Sequence, residues 1–190
     1  RGPLSITRRH SSASGNNNYG WFGGGWYSPS TPQINYSTVD RIDFSNDSAT
    51  ASIKGPLSAT RYDLAATANS NYGWFGGGTL YDPVTPSNTP KSIVDRIDFS
   101  NDSSTASPRG PLSLARYQLA ATGNSNYGWF GGGGAPAPTW FSTVDRIDFS
   151  NDSATASVRG SFTTVRRYSL PTGNSNYGWF GGGTTPAVVL

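Results

Sequence analysis

The sequence predicts an all-β fold assembled from a repeated, four-stranded antiparallel unit. The wording Asn-Ser-Asn-Tyr-Gly-Trp-Phe-Gly-Gly-Gly stands at 69–78, 124–133 and 174–183, with a close variant at 15–25. Its tyrosines, Tyr19, Tyr72, Tyr127 and Tyr177, are 53, 55 and 50 residues apart. A fixed period of this size signals a stack or ring of one supersecondary unit. Composition agrees. There are 24 Gly and 13 Pro, all 11 acidic residues are Asp, and 12 of the 14 basic residues are Arg. Glu, Lys and Met, which fill surface helices, are scarce or missing, whereas Gly, Ser, Thr, Asn, Tyr and Trp favour turns and strands.

One repeat domain, 1–190, divides into units 1–53, 54–108, 109–158 and 159–190, the last incomplete. Each unit opens with Arg/Lys-Gly-Pro-Leu-Ser (1–5, 54–58, 109–113), altered to Arg-Gly-Ser-Phe-Thr at 159–163. Gly-Pro punctuates and does not lie inside a central strand. Arg-Tyr-x-Leu-Ala-Ala-Thr follows (Arg61 to Thr67, Arg116 to Thr122, a diverged Arg167 to Thr172), reduced to Arg9-His10-Ser11-Ser12-Ala13 in the first unit. Its small residues suit a crowded inner strand. An Asn-Ser-Asn turn leads into Tyr-Gly-Trp-Phe-Gly-Gly-Gly, where alternation puts Tyr72 and Trp74 on one face and Gly73 and Phe75 on the other. Glycines after an aromatic run make sense where a neighbour's backbone or ring sits directly against them.

Variable segments at 26–36, 79–91 and 134–141 precede a strand at Val39 to Phe44, Val94 to Phe99 and Val144 to Phe149. Its alternation reads as half-buried, with Asp40, Ile42 and Phe44 on one face. Ser-Asn-Asp-Ser is turn chemistry. Ala-Thr-Ala-Ser predicts a fourth short strand. No Val-Asp-Arg-Ile-Asp-Phe follows Gly183, so the sequence predicts three full units and half of another, with an open sheet edge that must pair or be covered. The lack of an initiator Met points to a processed piece or fragment.

This unit resembles the kelch repeat of β-propellers, on Arg61, Ala65, Ala66, Trp74 to Gly77, Val94, Ile97, Asp98 and Asn101 and their counterparts. The resemblance covers nearly the whole chain and implies four-stranded blades. The Trp that usually follows the kelch turn is replaced by small residues near Thr50, Thr105 and Thr155. Val-Asp-Arg-Ile-Asp-Phe-Ser-Asn-Asp-Ser-Ala-Thr-Ala-Ser is also similar to a repeat in uncharacterised proteins of marine phages and large viruses. That likeness implies a viral or environmental origin and brings no activity; the expected location is extracellular or on a virion.

Catalytic chemistry is sparse. His10 is the only His, aligned here with Tyr62, Tyr117 and Tyr168, and no nucleophile-elbow motif accompanies it. Nine Asp lie in three copies of Asp-Arg-Ile-Asp-Phe-Ser-Asn-Asp, better read as structural contacts than as acid–base pairs. Asp43-x-Ser45-x-Asp47 offers alternating oxygens but lacks the Gly and distal acid of a calcium loop. Gly-Gly-Gly lacks the Lys-Ser/Thr of a phosphate loop. No enzyme, cofactor or metal is expected. The absence of Cys excludes disulfides and thiol chemistry. A net charge of +3 without a basic run argues against nucleic acid, and no apolar run is long enough to span a membrane as a helix. Asn35, Asn46, Asn101 and Asn151 head Asn-x-Ser sequons, three of them in turns.

The residues that do not repeat are the informative ones. The variable segments map to one face. They carry Trp26, Tyr27, Tyr36, Tyr81, Asp82, Trp140 and Phe141 as candidate binding residues. Two readings stay open for them: a recognition surface for a glycan or protein, or rings that fold back over blade edges. The expected function is a non-catalytic structural or binding protein, the alternative a self-assembling filament subunit joined through open edges.

Overall fold

An asparagine at the head of each repeated turn sets the register of every unit. Asn69 Oδ1 accepts hydrogen bonds from the Asn71 and Tyr72 amides, both at 2.9 Å, and Asn16, Asn124 and Asn174 do the same. The side chain thereby mimics a backbone turn and reverses the chain in three residues. The computed structural model describes residues 1–29 and 32–186. It is all-β, made of small antiparallel sheets, and no described helix is long and apolar enough to cross a membrane.

The first unit contains β1 (Ser12–Gly15), β2 (Tyr19–Gly23), β3 (Trp26–Tyr27), β4 (Ile34–Asn35), β5 (Val39–Asp43) and β6 (Ser52–Lys54). The second contains β7 (Ala65–Ala68), β8 (Tyr72–Gly76), β9 (Thr79–Asp82), β10 (Ser87–Pro90), β11 (Val94–Asp98) and β12 (Ser107–Arg109). The third has β13 (Ala120–Gly123), β14 (Tyr127–Gly131), β15 (Thr143–Asp148) and β16 (Ser157–Ser161), and the fourth β17 (Leu170–Gly173) and β18 (Gly178–Gly181). Sheets of order β1-β2-β5-β6, β7-β8-β11-β12 and β13-β14-β15-β16 repeat, then a two-stranded β17-β18 sheet. Two small hairpins, β3-β4 and β9-β10, rise from the variable segments. The first strands of successive units lie side by side: β1 against β7, β7 against β13, β13 against β17.

Three features differ from the sequence reading. The fourth strand starts at Ser52, Ser107 and Ser157, after Ala-Thr-Ala (Ser-Thr-Ala in the second unit), because Ala51, Ala106 and Ala156 are buried where the chain crosses the core. The inner arginine of the first unit is Arg8, not Arg9, and that of the fourth is Arg166, not Arg167. Arg8 pairs with Asp40 (3.0 Å) as Arg61 does with Asp95 (2.7 Å) and Arg116 with Asp145 (3.0 Å), every side chain fully buried. His10 is consequently the counterpart of Asp63, Gln118 and Tyr168.

Those arginines tie each sheet together. Arg61 Nη1 donates to the Gly77 and Ile93 carbonyls (2.9 and 2.7 Å), and Nη2 donates to Phe75 O (3.0 Å) and Asp95 Oδ2. Asp95 also accepts from the Ser58 amide at 3.0 Å, which explains the repeated Gly-Pro-Leu-Ser. Burial pulls the Arg8, Arg61 and Arg116 guanidinium groups below the usual arginine range, and the partner aspartates oppose that pull.

A second set of contacts joins unit to unit. Phe99 stacks flat on Trp21 of the preceding unit (3.8 Å, 8°), and the Trp21 indole donates to Asp102 at 3.0 Å. Arg41 and Lys54 reach the same carboxylate at 2.9 and 3.4 Å. One unit on, Phe149 stacks on Trp74 (3.7 Å, 6°), and Trp74, Arg96 and Arg109 converge on Asp152 at 2.9, 3.1 and 3.6 Å. The glycines serve close approach. A Cβ on Gly76 would come 2.6 Å from the ring of Phe130 in the next unit.

The Ser-Asn-Asp-Ser turn is a 3-10 turn in two units, Phe44–Asn46 and Phe149–Asn151, capped by Asp43 and Asp148. Serine hydroxyl and amide bonds hold Asp43, Asp98 and Asp148 below the usual carboxylate range. Their contribution to stability is full above the ordinary value and is lost as pH falls through the lowered folded one, so acid sensitivity belongs below about pH 4. Ser100→Ala is expected to raise the Asp98 pKa, readable by carboxyl-carbon NMR titration. An unchanged Asp98 titration would refute that cause.

Candidate functional site

Each unit places one left-handed residue just before its first strand: His10 (φ 58), Asp63 (φ 54), Gln118 (φ 59) and Tyr168 (φ 57). Such a backbone is unfavourable for side chains of this size, and least so for His and Asp. What holds it is a chain of bonds through all four units. The Asp63 amide donates to His10 O (3.0 Å), Gln118 to Asp63 O (2.8 Å) and Tyr168 to Gln118 O (2.9 Å). The side chains continue the row. His10 Nδ1 donates to Asp63 Oδ1 at 2.5 Å, Gln118 Nε2 to Asp63 Oδ2 at 3.1 Å, and Arg167 Nη1 to Gln118 Oε1 at 3.3 Å. A shallow cavity of about 370 Å³ runs along them. Burial raises the Tyr168 phenol above its usual range, with the Asp63 charge adding to the effect.

Beside the row the variable segments leave their sheets. Gly25 and Gly78 have φ of 104° and 95°, and their amides donate to the Arg61 and Arg116 carbonyls of the next unit, both at 2.9 Å. This turn delivers Trp26 next to the row. Its backbone pairs with Arg9 in both directions (2.9 and 3.0 Å), the Arg9 guanidinium lies 3.9 Å over its ring, and its ring is 5.8 Å from that of His10 and 5.9 Å from that of Tyr62. Between Trp26 and the neighbouring hairpin opens a groove of about 660 Å³, lined by Arg9, Trp26, Ser28, Pro32, Gln33, Tyr81 and Pro83. Asn35 Nδ2 donates to Tyr81 O at 3.0 Å and fastens the two segments together. Tyr62 Oη donates to Asn88 Oδ1 at 2.6 Å, and burial raises its pKa, with Asp63, Tyr117 and Tyr81 adding to the rise.

The structure thus brings Trp26 and Tyr81 into one groove and sets Trp140 at the far end of the row. There Arg167 lies 4.5 Å over Trp140 and donates to the Ala135 and Thr139 carbonyls at 2.6 and 2.9 Å. Tyr27, Tyr36 and Phe141 are half-buried and serve mainly through backbone: Tyr27 pairs with Ile34, Tyr36 bonds Gly25 and Arg61, and Phe141 bonds Gly133 and Arg166. Asp82 is engaged by its own turn, accepting from the Val84 amide (2.8 Å) and the Thr85 hydroxyl (2.6 Å), which lower its pKa. All six candidate aromatics are half-buried, so each ring packs along one side and presents another.

Arg9, Asp63, Gln118, Arg167 and Tyr168 join the site without being among the sequence-predicted binding residues. The signal was available: each row residue stands nine positions before the repeated Tyr and differs in every unit. The oxygens considered for calcium are bound by protein donors: Asp43 by Ser45, and Asp47 by Arg1 at 2.9 Å. Among the described residues no group of three or more His, Cys, Asp or Glu is placed to hold a metal, and no hydroxyl is hydrogen-bonded to His10 Nε2. Comparison with protein-family models and with curated proteins finds no match.

Proposed function

We propose that this chain is a kelch-like propeller segment acting outside cells or on a virion as a non-catalytic binding module. Its groove at Arg9, Trp26 and Tyr81 would take a glycan or a protein surface. The observation that carries this reading is the convergence of the non-repeating residues on one face of an otherwise uniform scaffold. Sheets of nearly identical wording differ at His10, Asp63, Gln118 and Tyr168 and in the segments beside them. Repeating scaffolds display recognition groups this way. Side-by-side inner strands and the bonded row support the propeller reading. The groove combines half-exposed aromatic plates with the guanidinium of Arg9 and the amide of Gln33, a mixture that suits the apolar ring faces and hydroxyls of a sugar. An acid–base role for His10 and Asp63 is not favoured, because the carboxylate already has Gln118 as a second donor.

The test is a glycan array followed by titration with the best binder. Trp26→Ala with Tyr81→Ala is expected to weaken binding by tenfold or more, about 1.4 kcal/mol, while the thermal midpoint changes little. Undiminished binding by the double variant, or an empty array together with no captured protein surface, would overturn the reading.

A further inference from the structure

The face of the third and fourth units lacks contacts that the earlier units make. In the second and third units the phenylalanine of the Asp-Phe-Ser turn sits between two surfaces: the strand-2 glycine of its own unit and the tryptophan of the unit before. Cβ atoms on Gly73 and Gly128 would lie 3.0 Å from Phe99 and Phe149, which stack on Trp21 and Trp74. The corresponding pair here is Gly178 and Trp129. The three atoms nearest a Cβ on Gly178 all belong to Thr122, with no phenylalanine ring among them, and Trp129 is half-buried where Trp21 and Trp74 are fully buried.

The cations repeat the pattern. Among the described residues, Arg146 and Arg159 have no carboxylate, whereas their counterparts Arg41, Lys54, Arg96 and Arg109 share Asp102 or Asp152. Arg166 donates to Gly182 O (3.1 Å) and Thr164 Oγ1 (2.8 Å), with no equivalent of Asp95 or Asp145. The outer edge of β18 pairs with no described strand, and Leu170, Tyr177 and Trp179 are 76%, 66% and 51% exposed.

We infer that this face binds an acidic strand written Asp, then Phe four residues on, then Asp three further. That is the spacing of Asp95, Phe99 and Asp102 and of Asp145, Phe149 and Asp152. The incoming backbone pairs with β18 as β11 pairs with β8. Its first Asp takes Arg166, its Phe inserts between Gly178 and Trp129, and its second Asp accepts from the Trp129 indole, Arg146 and Arg159. Three uncompensated cations and an unpartnered indole select an acidic strand with an aromatic at one position.

A synthetic peptide of the sequence 142–158 tests this against the intact protein, by tryptophan fluorescence and calorimetry. Saturable one-to-one binding is expected. Phe→Ala at the position of Phe149 should weaken it by about thirtyfold or more, and Asp→Asn at that of Asp145 by about tenfold. Trp129→Phe should remove the fluorescence change, whereas Trp26→Ala with Tyr81→Ala should leave peptide binding intact, which separates this inference from the groove. A protein that self-associates by exchanging such strands should be dissociated by the peptide. No binding, equal binding of a scrambled peptide, or an oligomer that the peptide leaves intact would each overturn the inference.

Discussion

Asp95→Ala is expected to lower the unfolding free energy by about 3–5 kcal/mol, measured by urea denaturation followed by circular dichroism. Asp95 and Arg61 are both fully buried. Removing the carboxylate leaves a guanidinium whose remaining partners are the neutral carbonyls of Phe75, Gly77 and Ile93. Three neutral acceptors solvate the charge but do not compensate it. Also replacing Arg61 with an apolar residue should recover only part of the loss, since those carbonyls then lack a donor. Arg166→Ala is the internal comparison. It breaks exposed bonds and no ion pair, and should cost on the order of 1 kcal/mol. Equal losses at Arg166 and Asp95 would refute the claim that the buried pair dominates.

Trp74→Ala is the second large effect, expected at about 3–5 kcal/mol. The ring is fully buried, stacked on Phe149 at 3.7 Å, and its indole is one of three donors to Asp152. Its loss opens a cavity between the second and third units and weakens the only contacts that Arg96 and Arg109 make with a carboxylate among the described residues. Trp129→Ala, the same substitution one unit later, should cost well under half as much, because no Phe stacks there. Hydrogen exchange should show the Trp74 loss as faster opening on both sides of that junction. Similar losses at both tryptophans would mean that the hydrophobic contacts within a unit matter more than the junctions.

The strand order within each unit was legible because turn, strand and glycine signals recur in the same order. The register of the inner arginine was not. Ile6-Thr7-Arg8-Arg9-His10 offers two adjacent arginines and lacks the Tyr-x-Leu-Ala-Ala that marks later units, and only Asp40, 32 residues from Arg8, distinguishes them. The junctions were hidden for a related reason. Trp21 and Asp102 are 81 residues apart and belong to different units, so no local spacing links them. For the candidate site, the aromatic segments were legible as departures from the repeat. Their grouping was not, since two-residue strands such as Trp26–Tyr27 are too short to show alternation.

The row of left-handed residues separates what a unit must be from what it can say. Its geometry is held by main-chain bonds from one unit to the next, the same bonds under four different side chains. Histidine, aspartate, glutamine and tyrosine therefore occupy one slot in turn, like letters set in a fixed typeface. Under the proposed binding role, exchanging a letter would alter what the face reads without touching the press that prints it. A scaffold of this kind can change its specificity by spelling, one unit at a time, while every sheet behind the text stays the same.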